Sequence, residues 1–160
     1  MKFTHLVQIN DLTNPLIDQL SREQLWNGLK LRAEDPAQFV VGLDSFRLVR
    51  RDGNELVREL NFGRLVVRDR ISFTPMNQVQ YEVEASTEVP AATLVTTIEE
   101  PEPEQLFVRF EYHTRPLDGG PPVDPYYQQF MKEAYKEADI DAVRTIRRLA
   151  SEGKLGAAPA

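Results

Sequence analysis

A chain of 160 residues with 41% apolar and 28% charged content has the composition of one globular domain and is too apolar for disorder. Its net charge of −6 argues against nucleic acid as a partner, because nucleic acid rewards basic surfaces. The absence of cysteine excludes disulfides, a thiolate nucleophile and cysteine-ligated zinc, and suits a reducing cytoplasm.

At the N-terminus Phe3, His5, Val7 and Ile9 alternate with Lys2, Thr4, Leu6 and Gln8, as in a half-buried strand. Leu6 is the imperfection. This start has no continuous apolar run, so no secretory signal is expected, and no stretch approaches the roughly 20 apolar residues of a membrane span. Ser21 and Gln24 form a capping-box pair. Leu25, Trp26, Leu29 and the stem of Arg32 then mark a short amphipathic helix. Asp35-Pro36 opens a second short helix carrying Phe39 and Val40, which Gly42 ends.

After Gly42 the hydrophobic period becomes two. The strand-like runs are Leu43–Arg51, Glu55–Phe62, Arg64–Thr74, Gln78–Ser86, Ala91–Glu100 and Gln105–Arg115. Turn chemistry separates them at Asp52-Gly53, Gly63, Pro75 to Asn77, Pro90, and Pro101 to Glu104. Connections this short make consecutive antiparallel hairpins. A proline- and glycine-rich loop from Pro116 to Pro125 follows, with Asp124 as a cap for a helix reaching about Glu152. Its apolar stripe is Tyr127, Met131, Ala134, Ala138, Val143, Ile146 and Leu149, and it is roughly 40 Å long. The domain spans residues 1–152, and Gly153 to Ala160 reads as a flexible tail.

The order is therefore strand, two short helices, six strands, long helix. The fold class is α+β: a curved antiparallel sheet must bury one face, and the long helix is the main element available to cover it. Such a sheet leaves room for a pocket. This order resembles the START-like (SRPBCC) superfamily, which includes the pathogenesis-related birch-pollen allergen type and its helix-grip fold. His5-Leu6-Val7-Gln8-Ile9-Asn10, Arg22-Glu23-Gln24-Leu25-Trp26, Leu31-Arg32-Ala33-Glu34-Asp35-Pro36 and Glu88-Val89-Pro90-Ala91-Ala92 resemble the AtaL-like subfamily, found mainly in bacteria and fungi. The resemblance implies a fold and a cavity for a hydrophobic ligand. The glycine-rich loop of the plant allergens is reduced here to Arg51-Asp52-Gly53-Asn54, so ligand properties tied to that loop do not carry over.

Register sharpens the pocket. A type II′ turn at Gly63-Arg64 sets Phe62 opposite Leu65, then Leu60 with Val67, Arg58 with Asp69 and Leu56 with Ile71 on one face. The other face pairs Asn61 with Val66, Glu59 with Arg68 and Val57 with Arg70. The inner face thus carries one ion pair, Arg58 and Asp69. They either neutralise each other under the helix or meet a polar group of a ligand. Placing Ile98 opposite Leu106 sets Thr96 by Val108 and Leu94 by Phe110. Tyr81, Thr96 and Tyr112 are then polar tips in an apolar lining, unless their hydroxyls bond only to neighbours. His5 suits a hydrogen-bonded core residue or a base, whereas His113 falls on the solvated face. Trp26 suits sealing the core. Phe39 suits either sealing or gating, and Met131 faces the lining from the long helix. Arg144, Arg147 and Arg148 favour a solvated helix end.

Two separated histidines make no metal site, and no P-loop, GxGxxG, HExxH or nucleophile-elbow pattern occurs. No metal or cofactor is expected, and no catalytic residue is assigned. The functional expectation is a non-catalytic carrier or sensor of an apolar, aromatic or polyketide-like molecule without membrane insertion. Its binding residues would be Arg58, Asp69, Tyr81, Thr96, Phe110, Tyr112, His5, Phe39 and Met131. The alternative is an aromatase/cyclase-like or hydrolytic enzyme using Asp69, Arg58, Tyr81 and His5. A third reading is a protein whose cavity is filled by its own side chains. The sequence carries no sign of oligomeric state.

Overall fold

The structure is a computed structural model that describes residues 1–115 and 124–160. Seven strands form one sheet: β1 Lys2–Gln8, β2 Ser45–Asp52, β3 Glu55–Asn61, β4 Val66–Thr74, β5 Gln78–Val83, β6 Ala92–Glu99 and β7 Phe107–Thr114. All neighbours are antiparallel in the order β1-β7-β6-β5-β4-β3-β2, so β1 and β2 are the edges. Helix α1 spans Arg22–Glu34 and helix α2 spans Pro125–Ser151. This is the helix-grip architecture expected from the order of elements: a curved sheet with the long helix against its inner face.

The local signals act where they stand in the sequence. The Ser21 side chain accepts from the Gln24 backbone N–H, and the Gln24 side chain accepts from the Ser21 N–H, closing the capping box of α1. Asp124 accepts from the Tyr126 N–H at 2.7 Å, and Pro125 occupies the first position of α2. The second short helix is a single 3₁₀ turn, Pro36–Gln38. The Val40-Val41 pair disfavours helix, and Gly42 at φ 83° turns the chain away. Strand β2 is irregular between Leu48 and Arg50, leaving this edge only partly covered. The rest of the connection expected over 116–125 lies outside the described residues.

The β3–β4 register is the one the turn chemistry predicts: Phe62 N–H donates to the Leu65 carbonyl, Gly63 has φ 89°, and Arg58 pairs with Asp69. The β6–β7 register is displaced by two residues from expectation. Ile98 faces Val108, Thr96 faces Phe110 and Leu94 faces Tyr112. Leu106 is instead taken by the extension of β1, where its carbonyl accepts from the N–H groups of Ile9 and Asn10.

The core between sheet and helices contains Leu56, Ile71, Val79, Ile98, Val108 and Phe110 from the strands, with Leu25, Leu29, Val143, Ile146 and Leu149 from the helices. Trp26 seals it, edge-on to Phe73 at 6.4 Å. Helices α1 and α2 touch at Gly28, where a Cβ would lie 2.7 Å from Ile146, so a side chain there would force the helices apart. The stripe of α2 is as expected only in its C-terminal half. Tyr127 is 56% exposed and Ala138 is exposed, while Asp139 and Ala142 face inward.

Two surface segments make contacts that the sequence pattern does not announce. The tail is docked: Leu155 is buried in the core, Asn27 donates to its carbonyl at 2.9 Å, and Ser21 donates to the Ala157 carbonyl at 2.6 Å. Arg147 is half-buried and donates to the backbone carbonyls of Ile9 and Asp18, tying α2 to the loop after β1. Among the described residues, no helix is long and apolar enough to cross a membrane.

Candidate functional site

Period-two alternation points Leu56, Arg58 and Leu60 of β3, Asp69, Ile71 and Phe73 of β4, and Val79 and Tyr81 of β5 to the inner face. Beneath α1 and α2 that face leaves a cavity of about 230 Å³. Arg58, Asp69, Tyr81 and Tyr112 are its deeply buried members. Half-buried Val40, Val83, Ala92, Thr93, Leu94, Arg32 and Tyr135 complete it. A larger hollow of about 560 Å³ lies against Arg68, Arg70, Glu82 and Glu84, on the outer side. There Arg70 and Glu82 already pair at 2.7 Å, so that hollow offers a charged, water-exposed wall. The inner cavity has the apolar lining with a few convergent polar groups that small-molecule sites require.

The ion pair on the cavity floor is self-contained. Arg58 and Asp69 are each 4% exposed. Nε and Nη2 of Arg58 donate to the two carboxylate oxygens of Asp69 at 2.9 and 2.6 Å. Its Nη1 donates to the Ala33 carbonyl at 3.0 Å, one of the carbonyls a helix leaves unpaired at its C-terminus. The pair therefore fastens the end of α1 to the sheet. Tyr81 lies under the same guanidinium, with the Arg58 Cζ 5.3 Å from its ring centroid. Burial holds the Tyr81 hydroxyl above the ordinary tyrosine range, against the nearby charges of Arg32 and Arg58.

A second buried cluster adjoins the cavity at Tyr112. The Tyr112 hydroxyl donates to Asp139 Oδ1 at 2.5 Å, and His5 Nδ1 lies 3.5 Å from Asp139 Oδ2. Neither the His5 Nδ1 nor the Asp139 Oδ2 has a closer polar partner among the described residues. The Tyr112 ring stacks on Tyr135 with centroids 4.0 Å apart, and Phe3 packs against both. Burial raises the Asp139 carboxyl, opposed by the Tyr112 hydrogen bond, by Arg32 and by His5. Burial also raises the Tyr112 hydroxyl, with Asp139 adding to the effect, so the tyrosine keeps its proton and donates it.

The raised Asp139 gives a stability prediction. The folded state holds its proton more tightly than the unfolded chain, so this carboxyl favours folding at low pH. That contribution is lost as pH rises from about 4, the ordinary carboxylate range, through the folded value. Asp139→Asn keeps an acceptor for Tyr112 and removes the buried charge. Urea midpoints should therefore diverge in favour of the variant as pH rises. A gap between the two proteins that is constant from acid to neutral pH contradicts this.

The expected binding residues divide. Arg58, Asp69, Tyr81 and Tyr112 line the cavity together. Thr96 does not turn to it, because its hydroxyl donates to the Val79 carbonyl at 3.1 Å. Phe110 is fully buried in the core, and Phe39 packs against the core from the partly buried shell. Met131 is half-buried on α2 and lies off the cavity. His5 lies off the cavity lining and sits 3.5 Å from Asp139 Oδ2. His113 is exposed, as expected. The reading missed Arg32, Tyr135 and Asp139. Only Arg32 had left a signal, through its place on the apolar face of α1. Among the described residues, no group of three or more His, Cys, Asp or Glu could hold a metal ion.

The family described as "Acetylaranotin biosynthesis cluster protein L" (AtaL) matches residues 7–153, nearly the whole chain. The chain belongs to the AtaL family. No curated protein matches it. Solved structures similar to this AtaL-family chain include the Zhui aromatase/cyclase from Streptomyces sp. R1128. That match has a TM-score of 0.64 at 13% identity, covering 94% of this chain and 93% of that one. Ara h 8.0201 has a TM-score of 0.59 at 13% identity, with 91% and 97% covered. The di-domain aromatase/cyclase BexL from the BE-7585A biosynthetic pathway has a TM-score of 0.65 at 13% identity. It covers 99% of this chain, which spans 51% of BexL. At these identities the likeness shows the shared START-like fold.

Proposed function

We propose that this AtaL-family protein binds an apolar, aromatic or polyketide-like small molecule in the cavity between sheet and helices. The observation that carries the reading is the cavity itself: apolar walls, a few polar tips and about 230 Å³ of space. Ligand sites for drug-sized molecules run to roughly 300–1,000 Å³, so this one suits a ligand of one or two fused rings. The filled-cavity reading is disfavoured by that space. The lack of cysteine suits action in the cytoplasm.

Titration with a panel of flavonoid, fatty acid and small aromatic polyketide ligands, followed by intrinsic fluorescence, tests the reading. Saturable binding is expected for an aromatic member, and Leu94→Trp, which adds bulk inside the cavity, should abolish it. Binding unaffected by Leu94→Trp, or no saturable binding to any ligand, rejects the proposal.

One observation favours a second, enzymatic reading of the aromatase/cyclase kind. Tyr112 lines the cavity and donates to the buried Asp139, beside His5, so a proton could pass from a bound molecule through the tyrosine to the carboxylate. Both oxygens of the Asp69 carboxylate already accept from Arg58, which leaves it less available to a bound molecule. Product formation from a poly-β-ketone substrate that is lost in both Asp139→Asn and Tyr112→Phe would support this reading. Turnover indifferent to both would end it.

A further inference from the structure

Two arginines reach the cavity, and they differ in what they are already bonded to. Arg58 is committed to both oxygens of Asp69 and to the Ala33 carbonyl. Arg32, one residue before Ala33 on α1, has no ion-pair partner among the described residues. Its Nη1 is buried from water with no hydrogen-bond acceptor. A guanidinium carries five donors, and leaving one dry without an acceptor costs free energy. Its Cζ lies 5.9 Å from the Phe110 ring centroid, so the head group is held over the inner sheet face. The positive field of Arg32 reaches Tyr81, Tyr112 and Asp139, where it favours their ionised forms.

We infer that Arg32 is the anion-recognition residue of the cavity, and that the ligand is an aromatic carboxylate whose acid group bonds its free guanidinium. This deepens the binding reading above and rests on it. The planar fork of arginine matches a carboxylate with two parallel hydrogen bonds, which a lysine or an amide does not reproduce. The aromatic body of such a ligand would lie against Tyr81, Leu94 and Tyr112, the apolar wall facing Arg32 across the cavity. The acid would supply the acceptor that the buried Nη1 lacks. The Arg58–Asp69 pair is internally neutral and Asp139 lies behind Tyr112, off the lining, so Arg32 is the lining charge that would choose among ligands.

Calorimetric titration of 2-naphthoate and its uncharged methyl ester into wild type, Arg32→Gln and Arg32→Lys tests the inference. Wild type should bind the acid roughly 10- to 100-fold more tightly than the ester, as a charge-assisted contact implies. Arg32→Gln should erase that preference by weakening acid binding far more than ester binding, and Arg32→Lys should restore part of it. Equal affinity for acid and ester in wild type, or a preference that survives Arg32→Gln, overturns the inference while the cavity reading stands. If 2-naphthoate does not bind, the Arg32 assignment is lost. If the wider ligand panel is silent as well, the cavity reading falls with it. Matching thermal midpoints of the variants show that lost preference is not lost folding.

Discussion

Asp69→Ala is expected to destabilise the fold by about 3–5 kcal/mol, the cost of stranding a buried charge whose partner has been removed. Arg58 and Asp69 are each 4% exposed, and the pair makes two charge-assisted hydrogen bonds. Without the carboxylate, Arg58 keeps one bond to the Ala33 carbonyl and loses its counter-charge. The double replacement Arg58→Met with Asp69→Leu should recover much of the loss, because an apolar pair of similar volume removes both desolvation penalties. It should not recover all of it, since the Ala33 carbonyl then has no donor, at a cost of about 1–3 kcal/mol. Urea unfolding of the three proteins measures this. A loss below about 1 kcal/mol for the single variant would mean that the pair behaves as a surface bridge and does not hold α1 to the sheet.

The docked tail gives the second large effect. Leu155 is 3% exposed and belongs to the same core cluster as Leu25 and Leu149. Leu155→Ala should cost about 2–5 kcal/mol through lost transfer energy and the cavity left behind. Deleting residues 153–160 should cost at least as much, since it also removes the carbonyl partners of Asn27 and Ser21. At this chain length the loss corresponds to roughly 5–15 °C in thermal midpoint. A truncated protein that melts with the full chain would show the tail to be dispensable.

That tail illustrates what sequence reasoning could not reach. Gly153, Gly156 and Pro159 have the composition of a frayed end, and nothing local announces that Leu155 finds a hole in the core. The β3–β4 hairpin was legible for the opposite reason. Gly63 specifies the turn, and a slip of one residue would have moved Leu56, Leu60 and Ile71 into water. The β6–β7 pairing was misjudged by two residues because such a slip preserves both faces, so alternation holds no information about it. The decision there lies with β1, whose extension takes Leu106 out of the hairpin.

The site divided along the same line. Polar residues on strands with clear alternation, Arg58, Asp69, Tyr81 and Tyr112, were placed by period alone. Thr96 shared their face, yet its hydroxyl is consumed by the Val79 carbonyl, a fact only coordinates reveal. Asp139 was invisible because an acidic residue within a helix reads as solvated. The inward positions of α2 are Asp139, Ala142, Val143, Ile146 and Leu149, so the expected stripe holds at its last three residues and fails at Ala138, which is exposed. Arg32 was credited only with its aliphatic stem, since sequence cannot say whether a guanidinium finds a partner.

The central claim is a ligand held between the inner sheet face and α2. Its most direct test is an NMR titration of isotopically labelled protein with the tightest ligand of the panel. Saturable shifts should cluster at Arg32, Tyr81, Leu94 and Tyr112, while Arg68, Arg70 and Glu82 around the outer hollow stay still. Shifts confined to the outer hollow, or none that saturate, would contradict it.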